Sequence, residues 1–267
     1  MIKMVATDID GTILNWDGNF SPAVLDCIKN LNESGVKVVL VTGRMHSSTK
    51  PIAEMLGLKT PIVSYQGGLV KDYYEKTLYE AQVSENYAKE IIEWGRRNNI
   101  HLNLYLDDKL YVENDNETIK KYTLGKFVDY KVCSFDSLDI ENVNKLLAID
   151  YNNPDRVTDW VKYLEEKYRD LYIVKSTPYF CEIGAMDAKK SIGVECLRKL
   201  WGFDKSEVLT IGDQNNDIEL LKAGGVAVAM GNATEELKKY ADYITDTIDN
   251  DGFVKAIEKF TGVKNNV

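Results

Sequence analysis

The sequence predicts an α/β protein, a parallel sheet covered by helices, with a smaller α+β layer inserted into it. Three observations carry this reading. Short apolar runs alternate with helix-like stretches in the first third, the same rhythm resumes in the last third, and the middle carries hairpin signals instead. Continuous apolar strands belong to sheets buried on both faces, and strand–helix–strand alternation builds βαβ units.

In chain order, residues 1–7 form a first buried strand. Residues 22–34 form a helix with Ser21 as its N-cap and Pro22 at the first helical position, and Gly35 ends it. Residues 36–41 and 61–65 are the next two strands. In the last third, helix 190–201, strand 207–211, helix 217–223, strand 226–230 and helix 235–240 follow. A short strand 243–245 precedes a closing helix near 253–260. In the middle, strands 101–106 and 110–113 flank Asp107-Asp108-Lys109 as a hairpin. Strands 146–151, 172–176 and 179–183 and helices near 85–98 and 158–168 complete it. Hairpins mixed with helices read as an α+β layer. The expected division is a discontinuous core, 1–82 with 186–267, around an insertion at 83–185.

Composition narrows the function classes. The 267 residues are 44% hydrophobic and 28% charged, enough for a sizeable core. The net charge of −9 argues against nucleic acid or an anionic membrane as the main partner, since both are gripped by clustered Lys and Arg. No apolar run approaches the roughly 18 residues that span a bilayer, and Met1 to Asp8 lacks the apolar segment of a secretion signal. Four scattered cysteines, Cys27, Cys133, Cys181 and Cys196, form no CxxC pair and read as reduced thiols of a cytoplasmic protein.

Four local features carry chemistry. Asp8-Ile9-Asp10-Gly11-Thr12-Ile13 ends the first strand, and side chains two apart on an extended segment point the same way. Asp8 and Asp10 therefore meet at the carboxyl edge of a parallel strand, where open α/β sheets bind ligands. Two adjacent carboxylates repel unless a cation or shared proton intervenes, and hard oxygen ligands suit Mg²⁺. Gly11 permits the tight turn that follows; alone, the string also fits an exposed Asp-Gly turn. Gly212-Asp213-Gln214-Asn215-Asn216-Asp217 is a second acidic cluster directly after a strand. It reads alone as a helix N-cap, and with the first cluster as a metal site. Thr42-Gly43-Arg44 offers a hydroxyl and free amides at a helix entrance, an anion site or a plain capping arrangement. Lys189-Lys190 opens a helix against its macrodipole, so an anion faces it or the lysines are merely solvated.

Together these pieces resemble the haloacid dehalogenase (HAD) phosphohydrolase superfamily over nearly the whole chain. The family's ordered motifs stand here as Asp8–Thr12, Thr42, Lys190 and Gly212–Asp217. Ala229-Met230-Gly231-Asn232-Ala233, Tyr240-Ala241-Asp242-Tyr243-Ile244-Thr245 and Asp251-Gly252 look like the Cof-type phosphatases of subclass IIB. That subclass carries its α/β cap between the Thr and Lys motifs. The resemblance implies a Rossmann-like HAD core with an inserted cap domain that selects substrate.

It also implies a Mg²⁺-dependent phosphatase acting on small phosphorylated metabolites such as sugar phosphates, as a monomer or weak homo-oligomer. Asp8 would be the nucleophile and Asp10 the general acid and base. Asp8, the Asp10 carbonyl and Asp213 would hold Mg²⁺, with Asp217 supporting directly or through water. Thr42, the Ile9 and Gly43 amides, Lys190 and Asn216 would hold the phosphoryl oxygens. The chain departs from the pattern at Lys190-Ser191, where the family has Lys-Gly and a one-residue slip would select Lys189. It departs again at Gln66, where relatives carry Asn. His46 and His101 read as structural or solvated. A phosphomutase of the phosphomannomutase kind and a non-enzymatic sugar-phosphate-binding regulator stay open. A dehalogenase and a receiver-type signalling module fit less well.

Overall fold

The computed structural model describes residues 1–125 and 127–264. Its central sheet is parallel, in the order β14 (Tyr243–Ile244), β13 (Val226–Ala229), β12 (Val208–Gly212), β1 (Met4–Thr7), β2 (Lys37–Leu40). Alternation along β1 shows why its run is continuously apolar. Val5 packs among residues of α1 (Pro22–Glu33) and α9 (Gly252–Thr261). Met4 and Ala6 pack on the opposite face with residues of α6 (Lys190–Leu200) and α7 (Ile218–Ala223). Both faces are covered, so the strand is apolar up to Thr7, whose buried hydroxyl donates to the Asp8 carbonyl. The short α8 (Glu235–Lys238) leads into β14.

A small antiparallel sheet of β3 (Ile62–Ser64), β4 (Leu69–Lys71) and β5 (Thr77–Glu80) abuts β2 through a bridge between Val41 and Val63. Beyond it lies a six-stranded cap sheet. Its order is β10 (Leu171–Thr177), β11 (Phe180–Ala185), β9 (Val143–Ile149), β6 (His101–Leu106), β7 (Lys109–Val112), β8 (Tyr130–Val132). All pairs are antiparallel except β7 with β8. Leu146 and Ala148 of β9 face α3 (Glu85–Arg97) and α5 (Pro154–Lys167). Leu147 and Ile149 face the other way, packing with Tyr105 and with Ile119 and Tyr122 of α4 (Glu117–Thr123). Asp107 and Asp108 make the β6–β7 turn with φ of 49° and 55°, the left-handed pair that two-residue hairpins favour.

The structure adds β4, β5, α4 and β8, which the sequence reading did not contain, and three further elements differ from it. The helix α2 (His46–Met55), whose entrance Thr42-Gly43-Arg44 implied, was given no range, because its first turn is polar and Pro51 lies inside it. Its N-cap residue Met45 makes no side-chain cap; Asp108 of the cap hairpin supplies it, accepting from the His46 and Ser47 amides at 3.0 and 2.9 Å. The strand β9 starts at Val143 rather than 146, since buried Asn144 and Lys145 mimic a loop in sequence. The helix α5 starts at Pro154, capped by Asn153, four residues before the expected start.

Candidate active site

Four strand ends of the core converge on one pocket. Directly after β1, Asp8 donates its amide to the Ile211 carbonyl at 3.0 Å, which ties the loop to β12. The chain then curls tightly: the Ile13 and Leu14 amides both reach the Ile9 carbonyl, and Gly11 takes a φ of +81°. Asn232, from the loop after β13, holds this turn by donating to the Gly11 carbonyl at 2.9 Å.

The carboxylates lie where that turn meets the loop after β12. One oxygen each from Asp8, Asp213 and Asp217 lies within 4.8 Å of the others, and all three residues are buried. Lys190, only 1% exposed, donates to Asp8 at 2.6 Å and Asp217 at 2.5 Å. The other Asp217 oxygen accepts the amides of Asp213 and Gln214 at 3.0 and 3.1 Å. Asp213 accepts from the Gln214 side chain at 2.9 Å and from Thr12 at 3.3 Å.

Burial and then the Asp217 charge push the Asp8 carboxyl well above the ordinary aspartate range, against the pull of Lys190. Burial and Asp217 likewise push Asp213 up to about 7. Burial alone would lower Lys190, but Asp217 and Asp8 raise it above an ordinary lysine. One ammonium thus faces three crowded carboxylates, and the residual negative charge asks for a further cation. An all-oxygen set of this kind fits Mg²⁺.

Asp10 is turned elsewhere. Its carboxylate receives both arms of Arg44, Nε at 2.8 Å and Nη2 at 2.5 Å. The Arg44 amide in turn donates to the Thr42 hydroxyl at 3.1 Å, at the entrance to α2. Asn216 does not point its amide donor at the pocket but gives it to Gln66 Oε1 at 3.1 Å. Gln66 Nε2 and Asn216 Oδ1 are left buried without a partner.

The structure therefore brings together Asp8, Lys190, Asp213 and Asp217, with Asp10, Ile9, Thr42, Gly43 and Asn216 on the loops around them. Lys189 lies outside, its ammonium 5.7 Å from the Tyr172 ring centroid. His46 and His101 sit away from the carboxylates: His46 faces Glu75 at 3.3 Å, and His101 bonds Asn103 and Asn116. Residue-by-residue reading missed Arg44, Gln214 and Thr12. Each stands inside a quoted motif, but its partner is set only by the fold.

Residues 5–257 match the haloacid dehalogenase-like hydrolase family. The chain belongs to that family, as a phosphatase of Cof type. It is 29% identical to a Bacillus subtilis protein, 5-amino-6-(5-phospho-D-ribitylamino)uracil phosphatase YcsE, covering 96% of this chain and 94% of that one. The solved structure of TM0651 from Thermotoga maritima is 31% identical, with a TM-score of 0.81 over 97% of this chain and 98% of the other. The subclass IIB sugar phosphatase BT4131 shares the fold at a TM-score of 0.87, with 21% identity and coverage of 97% and 99%.

Proposed function

We propose that the protein is a Mg²⁺-dependent phosphatase that cleaves small phosphorylated metabolites, sugar and polyol phosphates foremost, through an aspartyl-phosphate. The observation that carries this reading is Asp8. It is a buried carboxylate at a strand end, aligned by Lys190 and crowded by Asp213 and Asp217. Relatives whose names specify a substrate support the class: three Bacillus subtilis proteins are named for a phosphorylated ribityl compound, and a fold neighbour is a sugar phosphatase. The four unpaired cysteines suit a cytoplasmic enzyme.

In this mechanism an Asp8 oxygen attacks phosphorus in line, forming a new O–P bond as the ester P–O bond breaks. Asp10 gives its proton to the departing alkoxide, then takes one from the water that attacks the aspartyl-phosphate. Inorganic phosphate leaves and Asp8 is restored. Lys190, the Thr42 hydroxyl and the Ile9 and Gly43 amides hold the phosphoryl oxygens, and Asn216 joins them by turning its amide away from Gln66. Such fixed donors supply most of the stabilisation in phosphoryl transfer. Asp8, Asp213 and the Asp10 carbonyl would hold Mg²⁺, with Asp217 behind them, and the ion would shield the phosphate charge from the nucleophile.

The test is phosphate release from p-nitrophenyl phosphate with Mg²⁺. Turnover should be abolished by Asp8→Asn and by chelation. Undiminished turnover in the Asp8→Asn protein would overturn the mechanism.

A further inference from the structure

Three side chains from different parts of the chain converge on Gly43, the residue between the phosphate-side Thr42 and the Asp10-binding Arg44. A Cβ on Gly43 would lie 2.4 Å from Gln66 Nε2 and 3.2 Å from Glu182 Oε1. Lys145 of the cap sheet donates to the Gly43 carbonyl at 2.7 Å and to Glu182 at 2.5 Å. Ser176 donates to the other Glu182 oxygen at 2.8 Å. The Lys145 and Glu182 side chains are 4% and 8% exposed, and Gln66 is 4% exposed.

None of this is cheap to maintain. A buried ion pair is a poor source of stability, because desolvation offsets its attraction. Gln66 adopts a left-handed φ of 59°, and its amide nitrogen is buried without an acceptor, which costs free energy. In this state Asn216 holds its oxygen end, a contact given up when Asn216 turns to the phosphate. A strained residue, an unused donor and a buried ion pair all meet at the loop that carries Thr42 and Arg44. Arg44, the next residue, holds Asp10, the proposed acid, so a leaving oxygen protonated there would lie on the Gly43 side of the site.

We propose that Gln66, Lys145 and Glu182 form the leaving-group subsite, and that Glu182 makes it selective against a leaving group bearing a second anion. The proposal rests on the phosphatase reading above. Gln66 and Lys145 offer donors and Glu182 an acceptor, which matches adjacent hydroxyls, each both donor and acceptor. The Lys145 charge is already matched by Glu182. Among the described residues around Glu182, a carboxylate or second phosphate on the leaving group therefore meets no further cation to offset it, in a site where charges interact strongly. The same arrangement disfavours a mutase cycle, which needs a bisphosphate seated in both directions.

The experiment compares kcat/KM for matched esters with the full-length enzyme. Sorbitol 6-phosphate is set against 6-phosphogluconate, and glycerol 3-phosphate against 3-phosphoglycerate, with p-nitrophenyl phosphate as reference. The wild-type enzyme should favour the neutral member of each pair by at least about tenfold, the scale of a like-charge clash. Glu182→Gln should shrink that ratio by about tenfold, mainly through a lower KM for the anionic ester. Equal wild-type rates within the pairs overturn the proposal without any variant, as does an unchanged ratio in a folded Glu182→Gln protein. Turnover of p-nitrophenyl phosphate but of no polyol ester overturns the subsite alone. Turnover of no ester at all overturns the phosphatase reading, and the subsite falls with it.

Discussion

Arg44 grips both carboxylate oxygens of Asp10, through Nε at 2.8 Å and Nη2 at 2.5 Å. A planar fork of this kind fixes direction as well as charge. Arg44 is itself largely buried, and although burial opposes it, the Asp10 bond and charge keep its guanidinium firmly protonated. Arg44 thus sets where the proposed acid and base rests, and Asp10 must loosen one arm of this fork to take up and deliver its proton. Arg44→Ala should lower kcat by about ten- to a hundredfold, a part of what a positioned acid–base group supplies. Arg44→Lys should recover little, because an ammonium cannot reproduce the fork. Because the leaving group governs the need for an acid, the loss should be smaller for p-nitrophenyl phosphate than for an alkyl ester. Equal losses on both esters would remove Arg44 from the acid–base step.

Lys190 and Lys189 are neighbours with opposite surroundings. Lys190 is buried between Asp8 and Asp217, whereas Lys189 reaches out over Tyr172. Lys190→Ala should cost at least about a hundredfold in kcat/KM, as expected for loss of a charge-stabilising donor. Lys189→Ala should stay within a few-fold. Steady-state kinetics on both variants decides it, and the reverse order would move the phosphate contact by one residue.

The contrast between these residues shows which parts of the site were readable in advance. Asp8, Asp10 and Asp213 follow apolar strands directly, so strand geometry alone places them at one sheet edge. Lys190 was readable only to within one position, because helix α6 starts there with no N-cap side chain to fix its frame. Lys145 and Glu182 were not readable at all. They are 37 residues apart on two strands, and a charged residue in a strand normally marks its solvent face. In β9 that expectation shifted the strand start by three residues, from 143 to 146. The core sheet was legible for the opposite reason: burial on both faces leaves a continuous apolar run, as in Met4–Ala6 of β1 and Val38–Leu40 of β2.

Asp108 joins the cap to the core. Its carboxylate accepts from the His46 and Ser47 amides of α2 and from the Tyr65 hydroxyl at 2.6 Å. Asp108→Ala removes all three partners and places alanine at a positive φ. The expected loss is about 1–3 kcal/mol in urea unfolding, the range for a lost helix cap and its stranded donors. Asp108→Asn keeps an acceptor and tolerates that backbone, so it should recover part of the loss. Hydrogen exchange should rise first at the amino end of α2. Uniform exchange across the core would mean that the hairpin contact is dispensable.

His46 gives the stability a sign with pH. Its side chain is 3% exposed, and burial lowers its pKa below the ordinary 6.5, outweighing the opposite pull of Glu75 and Asp108. In the unfolded chain the imidazole takes up a proton near 6.5, while the native imidazole waits for a lower pH. Between those two values the unfolded state binds more protons, so stability rises with pH. The contribution is complete at pH 7, declines as the pH falls below about 6.5, and levels off below the native pKa. His101, also lowered by burial, acts with the same sign. Glu75 is lowered from its ordinary 4.5, mainly by Lys50 against a burial effect of opposite sign, so its contribution is lost only in more acid solution. The two windows separate. His46→Gln should flatten the slope of unfolding free energy between pH 7 and 5 without abolishing it, because His101 remains. Denaturant unfolding at a series of pH values measures the slope, and a variant slope equal to that of the wild type would show that His46 titrates alike in both states.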